Sequence, residues 1–258
     1  MIPLFCCRLI CGASLCWALM PRRQVTCGFF RIQHFVVLGL SVLAAITLTG
    51  TEGPTAAAIL WPIGITRGLD IAIAAIAYAG SIVWTLDRRN LGRLSIFAIL
   101  ALSSAAVIGT QTLIVQVVGI SAKCLVVSSE VSSAWLLGTA LTGMLLGHWY
   151  LTATSMPLGL LVRLNQFFLS AAMLRACVAG AGLVTCPVAI TDTTHLVWLA
   201  LRWLSGIAGP LVMAVLIGRI LKYRNTQSAT GVFFAGVILV FMGEMAATLL
   251  STELGYPL

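Results

Sequence analysis

The chain has 258 residues, of which 60% are hydrophobic and only 9% charged, with a mean hydropathy of +1.07 and a formal net charge of +8. A soluble domain of this size needs far more charge to cover its surface, and the apolar runs leave almost no sequence for a soluble catalytic domain. The basic excess falls in short loops beside those runs, with no aromatic-interleaved basic stretch, so it is a topology signal and excludes a nucleic-acid partner.

Residues 1–30 hold five of the eight cysteines: Cys6, Cys7, Cys11, Cys16 and Cys27. Residues 9–20 are apolar, preceded by Arg8 and followed by Arg22 and Arg23. Three readings compete: an eighth helix, a signal-like leader, or a tail translated from an early start codon. No small-residue cleavage pattern stands out, and Leu9-Ile10-Cys11 lacks the small residue that a lipoprotein signal places before its cysteine. The expectation is a peripheral, Cys-rich tail or leader over 1–30, with an eighth helix as runner-up.

Residues 31–258 form the transmembrane domain. Apolar runs follow at about 34–50, 68–86, 95–119, 131–153, 160–184, 197–221 and 229–250. At about 1.5 Å per residue most can cross a hydrocarbon core of about 30 Å. Backbone in lipid must satisfy its own hydrogen bonds, and no segment alternates like a barrel strand. The fold class is therefore an all-α, polytopic integral membrane helix bundle with seven transmembrane helices. No fixed-period repeat stands out. Residues 53–66 are broken by Pro54, Pro62 and Gly64 and read as an outer loop or re-entrant piece.

The loops give an orientation. Arg22, Arg23, Arg31, Arg88, Arg89, Arg93, Arg163, Arg219, Lys222 and Arg224 all fall on one side. The opposite loops hold Glu52, Lys123, Glu130, Asp192 and Glu253, with Arg67 as the exception. The positive-inside rule makes the basic side cytoplasmic, as in a bacterial inner membrane, and puts the C-terminus outside. Trp61, Trp135, Trp198 and Trp203 near the outer boundary, and Trp84 and Trp149 near the inner one, read as an aromatic belt.

Ionisable residues within apolar spans are costly, so each is a candidate site. The outer half holds Arg175, Arg202 and Glu244, with Asp70 opening the second span on the same side. Arg175 and Glu244 lie at similar depth, so they form either a structural ion pair or a polar pocket for a quinol head group, an anion or a proton. The inner half holds His148, Trp149 and Tyr150, with His34 on the same side. His148 and Tyr150 are candidates for a quinone ring pocket. Haem b would need two axial ligands at matching depth; His34 and His148 are the only pair on one side, and their depths differ by more than a turn. No other metal site is indicated. Asn165 and Gln166 read as helix-contact residues, and Gly143 and Gly147 as a GxxxG contact. Cys124 and Cys186, each in an outer loop, are the disulfide candidates. P-loop, HExxH, Gly-x-Ser-x-Gly and Cys-x-x-Cys patterns are absent, so no catalytic residue is assigned.

The last span contains Leu239-Val240-Phe241-Met242-Gly243-Glu244-Met245. It resembles the Gly-Glu-containing final helix of membrane anchor subunits of the dimethyl-sulfoxide reductase type, with Ala247 and Thr248 where the family carries an arginine. The resemblance implies an integral subunit of a respiratory or redox complex without intrinsic catalysis, at most oxidising quinol, with peripheral iron–sulfur or other redox subunits as partners beside the lipid bilayer. Competing readings are a small-molecule permease, using Arg175 for an anion or Glu244 for a proton, and a structural membrane protein without ligand.

Overall fold

The computed structural model describes residues 1–21, 24–48, 61–110, 119–152, 156–186 and 192–257. Arg22, Arg23, Glu52 and residues 53–60 of the expected re-entrant piece lie outside them. The described residues form helices and turns without strands. Among the described residues, eight helices are long and apolar enough to cross a membrane: α1 (Ile2–Leu19), α2 (Cys27–Thr47), α3 (Ile63–Thr85), α4 (Arg89–Thr110), α5 (Ile120–Thr152), α6 (Gly159–Thr185), α7 (Thr193–Lys222) and α8 (Thr226–Leu254). The protein is an all-α, multi-pass membrane bundle.

The chain divides into two compact units, Met1–Gln116 and Val117–Leu258. In the first, α2 packs on α1 and α3, and α4 closes the ring by packing on both α3 and α1. In the second, α6 packs on α5 and α7, and α8 closes the ring on α7 and α5. Both units thus have the wiring of an antiparallel four-helix bundle with consecutive helices as neighbours, although no repeat is legible in the sequence.

Residues 2–19, expected as a tail or else as an eighth helix, are α1, and Cys6, Cys7, Ile10, Cys16 and Trp17 of it are buried. The fourth expected span begins at Ile120 rather than 131 and absorbs Lys123, Cys124 and Glu130, which sequence placed in a loop. Val126, Ser129 and Glu130 are buried there, so one face of this polar stretch is part of the unit's interior. The third expected span is helix over Arg89–Thr110, and residues 111–118 lie outside the described ones.

Within the spans, hydroxyls donate to carbonyls one turn back, as Ser41 to Val37 (2.9 Å), Thr110 to Ala106 (2.8 Å) and Thr139 to Trp135 (2.8 Å). That satisfies the hydroxyls without a partner helix. Helix ends follow ordinary capping rules. The Asp192 carboxylate accepts from Thr194 N–H, the Asn225 side chain accepts from Ser228 N–H, and Gly255 ends α8 at φ 64°. Asp87, at φ 53°, turns the chain from α3 into α4. The Cys27 thiol and then Arg89 hold its carboxyl below the usual carboxylate range.

Candidate functional site

The described arginines of the basic connections, Arg31, Arg88, Arg89, Arg93, Arg163, Arg219 and Arg224, are exposed. Arg175 and Arg202 are not: they are 2% and 1% exposed, and both meet Glu244, which is 0% exposed. Arg175 from α6 grips the carboxylate with two parallel bonds, Nε to Oε1 at 2.8 Å and Nη2 to Oε2 at 2.9 Å. Arg202 from α7 adds Nη1 to Oε1 at 2.8 Å, and the Ser133 hydroxyl of α5 donates to Oε2 at 2.5 Å. Glu244 therefore accepts four hydrogen bonds, two on each oxygen. The remaining nitrogen of Arg175 is spent on α5, at 2.8 Å from Ser129 Oγ, 3.2 Å from Ser129 O and 3.3 Å from Ser132 Oγ. One network ties all four helices of the second unit.

Local sequence aims these groups. Ser129, Ser132 and Ser133, spaced three and four residues apart, share one face of α5. Pro210 in α7 has no N–H for the carbonyl of Gly206, and the helix widens into a π-turn over Leu204–Ala208 just before it. Gly209 N–H then donates to Leu204 O, one residue beyond the α-helical partner. At this turn Gly206 lies against the backbone of Gly243, so tightly that neither position admits a Cβ. The contact brings Arg202 of α7 to Glu244, the residue after Gly243. The GxxxG of α5 works similarly: a Cβ on Gly147 would come within 2.6 Å of Thr230 Oγ1, and one on Gly143 would strike the Phe233 ring.

Other expected groups are not assembled in this way. His148 is exposed, whereas Tyr150 is buried and donates to Pro157 O at 2.5 Å. Asn165 donates to Ala214 O at 3.0 Å, a helix-to-helix contact as expected. Cys124 lies on an exposed face of α5 rather than in a loop, and no disulfide joins it to Cys186.

In the first unit, His34 is 0% exposed and uses both ring nitrogens. Nδ1 lies 2.8 Å from Phe30 O and Nε2 2.9 Å from Ser95 Oγ. A carbonyl only accepts, so Nδ1 carries the proton; the Ser95 hydroxyl beside Nε2 also donates to Gly92 O at 2.8 Å. Iron at Nε2 would have to displace Ser95. His34 stacks on Trp17, with centroids 5.9 Å apart, and lies 6.4 Å from Trp84, which stacks on Phe30 at 4.5 Å. Trp84 is thus a core residue rather than a belt residue: a Cβ on Gly92 would come within 2.5 Å of its ring. Gly80 leaves room for His34 in the same way. Trp17 Nε1, Trp84 Nε1 and both polar atoms of the Gln33 amide are buried without a hydrogen-bond partner. Such orphaned groups are rare in native interiors. Sequence reading missed Trp17 and Gln33 and placed Trp84 in the belt. The signal was available in α2, where Phe29, Phe30, Gln33, His34 and Val37 make one stripe.

Comparison with family models, with curated proteins and with solved structures finds no match.

Proposed function

We propose that the chain is a non-catalytic integral subunit of a respiratory or redox complex in the bacterial inner membrane, a quinone-interacting anchor with its C-terminus outside. The observation that carries this reading is the aromatic cluster of the first unit. A quinone is a flat, apolar ring whose two carbonyl oxygens accept hydrogen bonds. It suits a site offering ring faces and donors that have no acceptor. Trp17, Trp84 and Gln33 supply those donors, and Phe30 and His34 the rings.

The ion network of the second unit is read as architecture. Both oxygens of Glu244 are occupied, and so are all three nitrogens of Arg175. A ligand at Glu244 or Arg175 would first have to break bonds within the protein. This proposal therefore moves the quinone from Glu244, Arg175 and Arg202 to the first unit.

The test is a titration of the full-length protein in lipid nanodiscs with a short-chain quinone, followed by tryptophan quenching and checked by calorimetry. Saturable binding is expected, weakened about tenfold by Gln33→Leu, the worth of one hydrogen bond, and unchanged by His148→Ala. Absence of saturable binding, or equal affinity in Gln33→Leu, Trp17→Phe and Trp84→Phe, overturns the reading.

A further inference from the structure

We propose that Asp70, buried against the Cys7 thiol in the first unit, is a proton-binding site whose carboxyl is neutral at rest and exchanges its proton with water. This goes beyond the quinone reading and does not depend on it.

The inference starts from the contrast between two buried carboxyls. Asp70 and Glu244 are both 0% exposed, and both lie within spans. Glu244 has two guanidinium partners and a hydroxyl. Asp70 has one weak partner: Cys7 Sγ, 3.5 Å from Oδ1. Its other oxygen, Oδ2, is buried with no hydrogen-bond partner at all. No ion pair joins it to any cation among the described residues.

Among the described residues the Asp70 carboxyl is given one hydrogen bond, from a thiol. From α1, Cys7 meets the Asp70 carboxyl, and Cys11 engages Ser104 of α4 at 3.4 Å. Cys7 packs with Ala106 and Val107 of α4 and with Leu69. Beyond His34 on α2 and beyond Arg93 on α4 there is no ionisable residue. On α3 itself, Arg67 donates to Leu48 O. An ionised carboxylate left in such a place costs far more than a neutral one, and the group avoids that cost by keeping its proton. A neutral carboxyl with one oxygen uncommitted is the chemistry of a proton carrier, and intramembrane acids of this kind mark proton paths.

The test uses full-length protein in nanodiscs and a hydrophobic carbodiimide, which reacts with protonated carboxyls. The carboxyl oxygen adds to the carbodiimide carbon while its proton passes to a nitrogen. The O-acylisourea then rearranges to a stable N-acylurea, so the peptide gains one whole reagent and loses nothing. Mass spectrometry at neutral pH is expected to find Asp70 labelled about tenfold or more above the exposed Asp87, whose carboxyl is held below the usual range, with Glu244 unlabelled. Asp70→Asn removes the label. Infrared spectroscopy gives an independent arm: a protonated-carboxyl band that moves in heavy water and is absent from Asp70→Asn. If the reagent fails to reach Asp70, that band still decides in favour. A missing band, a band that does not move in heavy water, or labelling of Glu244 in place of Asp70 overturns the proposal.

Discussion

At the residue scale, the ion network converts directly into stability. Glu244→Gln removes the negative charge from between Arg175 and Arg202 and leaves both guanidinium groups buried. The expected loss is on the order of 3–5 kcal/mol, read as a lowered unfolding midpoint in mild detergent. Replacing Arg175 and Glu244 together with apolar residues is expected to cost less than the sum of the single changes. Gln33→Leu runs the other way. It deletes a buried amide that has no partner, so the ligand-free protein is expected to be unchanged or more stable by about 1 kcal/mol. Its thermal shift with quinone should shrink at the same time, which separates a binding residue from a packing one. Glu244, Arg175 and Arg202 were legible because charge is conspicuous in an apolar span. The isolation of Asp70 was not, since it depends on what three other helices fail to provide. Trp84 misled because a tryptophan at a span end can turn to lipid or to a neighbour, and only the proximity of Gly92 decides which.

At the element scale, close helix approach is the most exposed weakness. A Cβ on Gly243 meets the backbone of Gly206, which cannot rotate away as a side chain could. Gly243→Ala is expected to destabilise by about 1–3 kcal/mol and to separate Arg202 from Glu244. Gly231, in the same helix, has nothing within 4 Å, so Gly231→Ala serves as the silent control in the same melting assay. Seven of the helices were readable from apolar length alone. The eighth, α1, was obscured by its short apolar core between arginines, yet the helix runs through Arg8, which is buried. The start of α5 was obscured for a related reason. Serines, Lys123 and Glu130 look like a loop until the face that buries Ser129 and Glu130 is known.

At the scale of the whole molecule, both units are four-helix rings, and the positive-inside bias predicts their sidedness. A C-terminal reporter that is active only outside the cytoplasm is expected to be active, and one that works only inside is expected to be silent. Cys124 on its exposed face should react with a membrane-impermeant maleimide from the outer side, which checks the same orientation from within the chain. The four-helix rings also carry a consequence of parity. Four is even, so each unit hands the chain back to the face from which it received it. Deleting α1 makes the first unit odd. The arginines beside α2, α3 and α4 resist inversion, so the new N-terminus is expected to change sides while the C-terminus stays where it was. An N-terminal tag that swaps compartments under that deletion, with an unmoved C-terminal reporter, would locate the control of topology in the arginine-bearing turns rather than in the helix that enters first.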